Sequence, residues 1–236
     1  MARFTHSYTN DTRRSGDAVV KHHLGPGAAR RRDTEARALR AAAGAVPVPA
    51  LLDPAPDAGG RGPGGLVGAA LPLRTAFVEA VHAKDLWARG CAEQVMAACG
   101  RVLRLVHALD PALLPGPGPL PGQVFVHGDF GPNNVLMEPR GGRVAAVLDW
   151  EWAHPGAPVE DLAWCEWVVR TYHPGEVGAL EAFFAAYGVC PPWAERHAWM
   201  VRRCEEVAVF WEEWRPLSPT AGLRRAQWAA TRAWRG

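Results

Sequence analysis

The sequence has 236 residues, of which 48% are hydrophobic and 21% charged, with a formal net charge of +2. That is ample apolar sequence for a real core and excludes a disordered tail. So small a net charge gives no argument for a nucleic-acid partner, no apolar run nears the ~20 residues that cross a bilayer, and the opening MARFTHSYTNDTRR lacks a signal-peptide core, so the cytoplasm is the expected location.

Along the chain, DAVVKHH at residues 17 to 23 has a short β-branched core and predicts a strand, followed by the turn-forming LGPG. The run RRDTEARALRAAA predicts a helix from Arg31 to Ala43, ending before Gly44, which can supply a left-handed cap. VPVPALLD reads as extended, because each proline forces its predecessor out of helical geometry, and residues 53 to 65 read as a Pro/Gly surface loop. Residues 66 to 80 predict one or two strands leading into a connector. Lys84 to Leu109 has helical spacing, with Gly90 expected to split it, and PALLPGPGPLPG is a linker. QVFVH, NVLME and RVAAVLDW predict three short strands, the last two joined by a PRGG turn. From Val159 onward the pattern is helical with Trp-rich faces, broken near His173 to Gly175, Gly188 to Pro192 and Pro216 to Pro219. Five cysteines, an odd number without a CxxC pair or zinc-ligand spacing, read as reduced and mostly buried.

The polar chemistry concentrates in HGDFGPNNVL, residues 127 to 136, which places Asp129 five residues before Asn134 at the end of an apolar strand. A loop of this length can aim a carboxylate at a reacting hydroxyl while turning an amide oxygen toward a metal ion. Asp149, at the end of RVAAVLDW, adds a second oxygen ligand. A carboxylate and an amide leave magnesium its remaining positions for water and nucleotide phosphates. Lys21 stands out because only two of the 26 basic residues are lysine, and a compact ammonium on a strand is the better point charge for phosphates. The charge distribution agrees: residues 1 to 50 carry nine Lys/Arg against four Asp/Glu, and residues 150 to 215 carry eleven Asp/Glu against five Lys/Arg. A basic segment suits a polyphosphate and an acidic one a cation, although solvated helix faces give the same count.

His-x-Asp-x4-Asn followed by a strand and an Asp is the arrangement of kinase catalytic and metal-binding loops. In the form HGDFGPNN followed by LDWEWAHPGAPVEDLAW, it resembles the aminoglycoside phosphotransferase family, which includes choline-kinase-like and other small-molecule kinases. HSYTNDT looks like that family's nucleotide-loop turn, AVVKHH like its lysine strand and RRDTEARAL like the helix carrying the lysine's glutamate partner. The resemblance implies an α+β, bilobal protein-kinase-like fold, with a nucleotide lobe over residues 1–75, a connector over 76–83 and a helical lobe over 84–236. It implies Asp129 as catalytic base, His127 as brace of the catalytic loop, and Asn134 and Asp149 as Mg2+ ligands. Lys21 would grip the α/β-phosphates and Glu35 would hold Lys21, with Thr9 and Asn10 in the loop over the phosphates. The base of ATP or GTP would contact the connector near Thr75 to Glu79, and Asp161 in EDLAW would tether the catalytic loop. The implied partner is a small-molecule hydroxyl acceptor, an aminoglycoside or other amine-bearing compound, with no nucleic acid and no membrane.

Plainer readings stand beside these. HGDFGPNN could be an ordinary turn, Lys21 a solvated edge-strand lysine and Glu35 a solvated helix carboxylate. Trp199, Trp211 and Trp214 could form a cage for a quaternary amine, but core packing is the commoner use of tryptophan at helical spacing. Glu205, Glu206, Glu212 and Glu213 could bind substrate ammonium groups, or Arg202 could pair with the first two. RRR at residues 30 to 32 lacks the interleaved aromatics of a nucleic-acid site. The chain also departs from the protein-kinase pattern, with no GxGxxG before Lys21 and Asp-Trp-Glu where those enzymes have Asp-Phe-Gly. A short nucleotide lobe leaves a second class open, a kinase fold that binds nucleotide or ligand without turnover.

Overall fold

The computed structural model describes residues 2–3, 10–52, 71–139 and 142–235. The first part of the chain is a five-stranded antiparallel sheet of β1 (Ala2–Arg3), β2 (Asn10–Ser15), β3 (Ala18–His23), β4 (Leu51–Leu52) and β5 (Leu73–Ala76), in the order β1-β2-β3-β5-β4. Gly16, with φ 62°, opens the two-residue turn that pairs Ser15 with Ala18. The register sets Lys21 opposite Thr12 on one side and Leu73 on the other, at the centre of the sheet. Asn10 therefore begins a strand, where the HSYTNDT segment had been expected to form a turn. That strand was hidden because NDTRRS has no apolar alternation: its buried positions are Asn10 and Asp11, polar groups that only tertiary partners make acceptable. The expected 53–65 loop and Thr9 lie outside the described residues.

Helix α1 (Ala28–Ala42) starts three residues earlier than its periodicity suggests. Its N-cap is Gly27, in the left-handed region with no side-chain cap, and its first turn has no acidic residue, so neither of the usual start signals is present. The helix end is anchored instead by Arg31, which is buried and ion-paired with Glu151 from a distant loop.

After β6 (Val81–His82) comes a 3₁₀ stretch, Ala83–Arg89, closed by Gly90 at φ 75°, and then α2 (Ala92–His107). The expected break at Gly90 is present, with the first half wound as 3₁₀ rather than α. Strands β7 (Val124–Val126), β8 (Val135–Met137), β9 (Val144–Val147) and β10 (His154–Gly156) form two small sheets, β6-β8-β9 and β7-β10. Helices α3 (Val159–Tyr172), α4 (Leu180–Tyr187), α5 (Trp193–Trp214) and α6 (Pro219–Arg232) complete the chain, with breaks where the Gly and Pro clusters lie. Among the described residues no helix is long and apolar enough to cross a membrane.

The main core runs from Leu39 and Leu73 through Val95, Met96, Leu103, Phe125, Phe130 and Trp150 to Phe183, so the sheet-rich and helical parts share one apolar interior. A smaller cluster joins Trp164, Trp167 and Val168 of α3 to Met200 and Cys204 of α5. Helices α2 and α4 approach so closely that a Cβ at Gly100 would collide with the carbonyl oxygen of Phe183. Gly100→Ala should gain about 1 kcal/mol of helix propensity, lose more than that by forcing the helices apart, and destabilise the protein by a net amount on the order of 2 kcal/mol in urea unfolding. A variant as stable as the parent would contradict this packing.

Candidate active site

The loop from His127 to Asn134 leaves β7 and enters β8, and its backbone is clamped from below by one buried carboxylate. Asp161, in the first turn of α3, accepts from the His127 N–H at 2.7 Å through Oδ2 and from the Gly128 N–H at 2.9 Å through Oδ1. Burial works against the Asp161 charge, but a hydrogen bond from His107 Nε2 at 3.0 Å, the nearness of the His107 and His127 rings and the His127 N–H hold its pKa below the usual carboxylate range. Tyr187 closes this line through His107 Nδ1 at 2.7 Å. Gly128 sits at φ 81°, and a Cβ there would strike the Trp152 carbonyl. His127 is fully buried. Its Nδ1 accepts from the Asp129 N–H at 3.2 Å, which leaves Nε2 to donate to the Leu148 carbonyl at 2.9 Å and so joins this loop to the segment carrying Asp149.

Asp129 is held at both oxygens. Trp164 Nε1 donates to Oδ1 at 2.7 Å, and Asn134 Nδ2 donates to Oδ2 at 2.9 Å and to the Asp129 carbonyl at 2.8 Å. Burial raises the Asp129 pKa, with Arg203, Trp164 and His127 opposing that rise and Asp149 adding to it. The Asn134 amide protons are thus directed to Asp129, which leaves its carbonyl oxygen as the atom available to a cation. Asn134 and Asp149 are also linked through the backbone, since Leu148 N–H donates to the Asn134 carbonyl at 2.8 Å. Asp149 adopts φ 61° and ψ 57°, the left-handed conformation that is uncommon for any side chain, though less so for aspartate than for most.

Lys21 reaches from β3 into the same place. Its Nζ lies 2.8 Å from Glu35 Oε2 and 2.6 Å from Asp149 Oδ1. Burial would lower the Lys21 pKa, but Asp149, Glu35 and Glu151 outweigh it and raise it instead. Glu35 is likewise buried, and Lys21 and His23, the latter 2.7 Å away, reverse the effect and set its pKa at about 2. Asn10 does not lie over the cleft as a phosphate loop would: its side chain is buried and donates to Glu151 Oε1 at 2.8 Å. Glu151 also binds Arg31 Nη1, so β2, α1 and the segment after Asp149 meet in one buried polar cluster.

These groups face a cleft of about 920 Å³ bordered by Lys21, Glu35, Asp129, Asn134 and Asp149, and it continues along Thr75, Phe77 and Val78, the stretch expected to meet the nucleotide base. Hard oxygen donors at Asn134 and Asp149, with no cluster of three His, Cys, Asp or Glu among the described residues, fit a magnesium ion that takes its other ligands from water and phosphate. Three contributors were not marked from sequence: Glu151, Trp164 and Arg203. Glu151 and Trp164 lie inside the DWEW and EDLAW segments that drew notice for other reasons, whereas nothing local marks Arg203. Of the four late glutamates, only Glu206 borders the cleft, and it is exposed and paired with Arg202 and Arg203. Of the tryptophans considered for a cage, Trp211 borders the cleft as a buried side chain and Trp214 packs over Gly25.

Removing Arg31 would leave Glu151 buried without its main partner, so Arg31→Met should cost about 3–5 kcal/mol in denaturant unfolding. Glu35 gives a pH test. Its folded-state pKa of about 2 lies below the ordinary 4.5, so its stabilising contribution is complete above pH 4.5 and is lost as pH falls toward 2. Glu35→Gln should flatten the acid side of the stability profile, and an unchanged acid limb would contradict the pairing.

A family model described as the phosphotransferase enzyme family matches residues 2–123 and 117–199. Short stretches resemble acyl-CoA dehydrogenase family member 11 from Gallus gallus, 45% identical over 42 residues, and from Rattus norvegicus, 49% over 41 residues; these cover 18% and 17% of this chain and 5% of each relative. In structure, the chain is similar to a choline/ethanolamine kinase family protein from Mesorhizobium loti, with TM-score 0.67, 19% identity, and coverage of 98% of this chain and 86% of that one. It is also similar to the GDP and kanamycin complex of APH(2")-IIia, with TM-score 0.71, 9% identity, and coverage of 98% and 92%. A thermostable mutant of aminoglycoside phosphotransferase APH(4)-Ia, in ternary complex with AMP-PNP and hygromycin B, gives TM-score 0.69, 15% identity and the same coverage. At such identities these likenesses speak for the fold, an α+β bilobal protein-kinase-like one. With the family model spanning most of its length, this chain belongs to the phosphotransferase enzyme family.

Proposed function

We propose that this protein transfers the γ-phosphoryl group of ATP or GTP to a hydroxyl of a small polar molecule. The observation that carries the reading is the meeting of Lys21, Asp149, Asn134 and Asp129 on one cleft, joined by the 2.6 Å Lys21–Asp149 contact and the 2.9 Å Asn134–Asp129 contact. The nucleotide analogue and nucleotide in the neighbours' complexes, AMP-PNP and GDP, support a nucleotide co-substrate.

Asp129 orients the acceptor hydroxyl and takes its proton as the oxygen attacks the γ-phosphorus. The bond from that phosphorus to the β-phosphate oxygen breaks, and the products are a phosphate monoester and the nucleoside diphosphate. Lys21, fixed by Glu35, offers its ammonium to the α/β-phosphates. The Asn134 carbonyl oxygen and the Asp149 carboxylate would hold Mg2+, which when bound neutralises charge on the phosphates. His127 and Asp161 keep the catalytic loop in the geometry that aims Asp129. Catalysis of this kind is positioning and charge neutralisation, with no covalent enzyme intermediate. Kanamycin and hygromycin B in the neighbours' complexes support a small-molecule acceptor; the amine expected on it, as in an aminoglycoside, rests on the acidic balance of residues 150 to 215, which the lining of the cleft does not reproduce.

Asp129→Ala should lower kcat by about a thousandfold or more while leaving nucleotide binding near its original level, because the base contributes to the reacting state. Asp149→Ala should instead weaken magnesium-nucleotide binding, read by titration with and without the metal. Full turnover in the Asp129 variant would sink the assignment. A further test uses Trp164, whose hydrogen bond holds the Asp129 pKa down against burial. Trp164→Phe should raise that pKa and move the acid limb of the rate profile to higher pH, with a smaller change at alkaline pH.

A further inference from the structure

The far end of the cleft, beyond Asp129, is walled by α3, α5 and α6, and its chemistry is unlike a site for a polycation. Among the described residues only two carboxylates face it, Asp129 and Glu206. The first is the proposed base, and the second is engaged by Arg202 Nε and Arg203 Nη1, each at 3.2 Å. Two guanidinium groups, Arg203 and Arg224, face the same space. An acceptor carrying several ammonium groups would meet two guanidinium groups here and only carboxylates that are already engaged, Asp129 as the proposed base and Glu206 by Arg202 and Arg203.

Arg203 is the more telling of the two. Its guanidinium lies over the rings of Trp152 and Trp164, 5.1 and 5.7 Å from their centroids, so aromatic faces hold it in place. Trp164, over whose ring it lies, donates through Nε1 to Asp129 Oδ1 at 2.7 Å, and Arg203 and Asp129 border the same cleft. Among the described residues the buried Nε of Arg203 has no hydrogen-bond partner, a donor whose desolvation is not offset there. Arg224 Nε is likewise buried without a partner among the described residues, but its Nη1 is tied to Tyr172 Oη at 2.7 Å and to Gln227 at 2.9 Å, whereas Nη1 of Arg203 has one longer contact, 3.2 Å to Glu206. The rest of the wall is apolar or aromatic, with Trp167, Val168, Val207 and Trp211 along it.

Resting on the phosphotransferase reading, we propose that the acceptor is a hydroxyl compound with an apolar or aromatic body and a single carboxylate that Arg203 binds, and that it is not a polycationic aminoglycoside. The planar fork of Arg203 suits a carboxylate, and its place beside Asp129 requires that carboxylate to lie within a few bonds of the hydroxyl to be phosphorylated. The tryptophans take up the body of the molecule by burial rather than by caging a cation.

The test is binding to the full chain saturated with AMP-PNP and magnesium, followed by calorimetry. The probes are mandelate and β-hydroxydecanoate, their uncharged methyl esters, and kanamycin. At least one acid should bind roughly tenfold to a hundredfold more tightly than its ester, as expected for one charge-assisted pair, and more tightly than kanamycin. Arg203→Met, which keeps the packing between the two tryptophans, should abolish the preference for acid over ester, and Arg203→Lys should restore part of it; thermal melting of each variant shows that it folds. The proposal fails if kanamycin binds more tightly than every acid, if no acid binds better than its ester, or if the preference survives in Arg203→Met. A fall in transfer rate of equal size for acid and ester in Arg203→Met would also overturn it, since Arg203 would then be serving the nucleotide's phosphate. The underlying kinase reading fails separately: AMP-PNP binding that ignores magnesium and Asp149 would remove phosphoryl transfer and leave the acid preference standing.

Discussion

The structure depends on one buried ammonium. Lys21 is almost wholly removed from water, and a lone charge in that position would cost several kcal/mol, so the strand carrying it is acceptable only while carboxylates meet it. Glu35 comes from α1 and Asp149 from the segment after β9, so the central strand of the sheet, the helix behind it and that segment are joined at a single nitrogen. Separating the sheet-rich part from the helical part would expose the apolar core they share and also strand this charge. The neighbouring cluster of Arg31, Glu151, Asn10 and His23 works in the same direction, because it fixes α1 against the loop that presents Asp149. Where a helix carrying the lysine's partner can swing away, the pair can break; here α1 is tethered at its N-terminal turn by Arg31 and in its next turn by Glu35.

How much of this was legible in the sequence differs by the range of the interaction. His127, Asp129 and Asn134 sit within one eight-residue loop, so their spacing alone carries the geometry, and Asp149 follows at the end of a strand that a short apolar run reveals. Lys21 was visible through composition, because an arginine-rich chain that keeps a lysine in a strand has a reason for it. Glu35 could be expected only from its place after that strand. Asn10 was misread because the phosphate-loop expectation assigned it to a turn, whereas it is a strand residue whose polar side chain is buried by a partner far along the chain. The start of α1 was misplaced for a related reason: a left-handed glycine and a tertiary ion pair stand in for the cap that local rules look for. Strands β6 and β10 have two and three residues, too few for any periodicity to register.

Trp164 and Arg203 mark the limit of local reading more sharply. Both lie on helices whose existence the pattern predicts, but the face that each helix turns toward Asp129 is set by how α3 and α5 pack. The stacked pair Trp164 and Trp167, with ring centroids 4.5 Å apart, is part of that packing, and the indole N–H that reaches Asp129 is its polar edge. A tryptophan that sequence reasoning assigns to the core can therefore be a core residue and still place one donor on the reacting group. Acidic residues give the opposite lesson. The late glutamates counted toward a cation site along the chain, yet on the helices they point outward or toward arginines, so a charge count over a segment says little about a pocket that the segment borders.

One amide joins the two halves of the proposed chemistry. Asn134 spends its N–H donors on the side chain and the backbone of Asp129, and its carbonyl oxygen is what remains for a cation shared with Asp149. The side chain cannot rotate to improve one contact without disturbing the other, because exchanging oxygen and nitrogen would set two oxygens face to face at Asp129. In the proposed chemistry the position of a metal ion and the aim of the base would thus be coupled through a rigid planar group, and Asp161 and His127 fix the loop that carries it. An aspartate at position 134 would supply a stronger metal ligand, but it would remove the donor and add a negative charge beside a carboxylate that burial already disfavours. An amide rather than a carboxylate at this position therefore answers the requirements of Asp129 as much as those of the proposed metal.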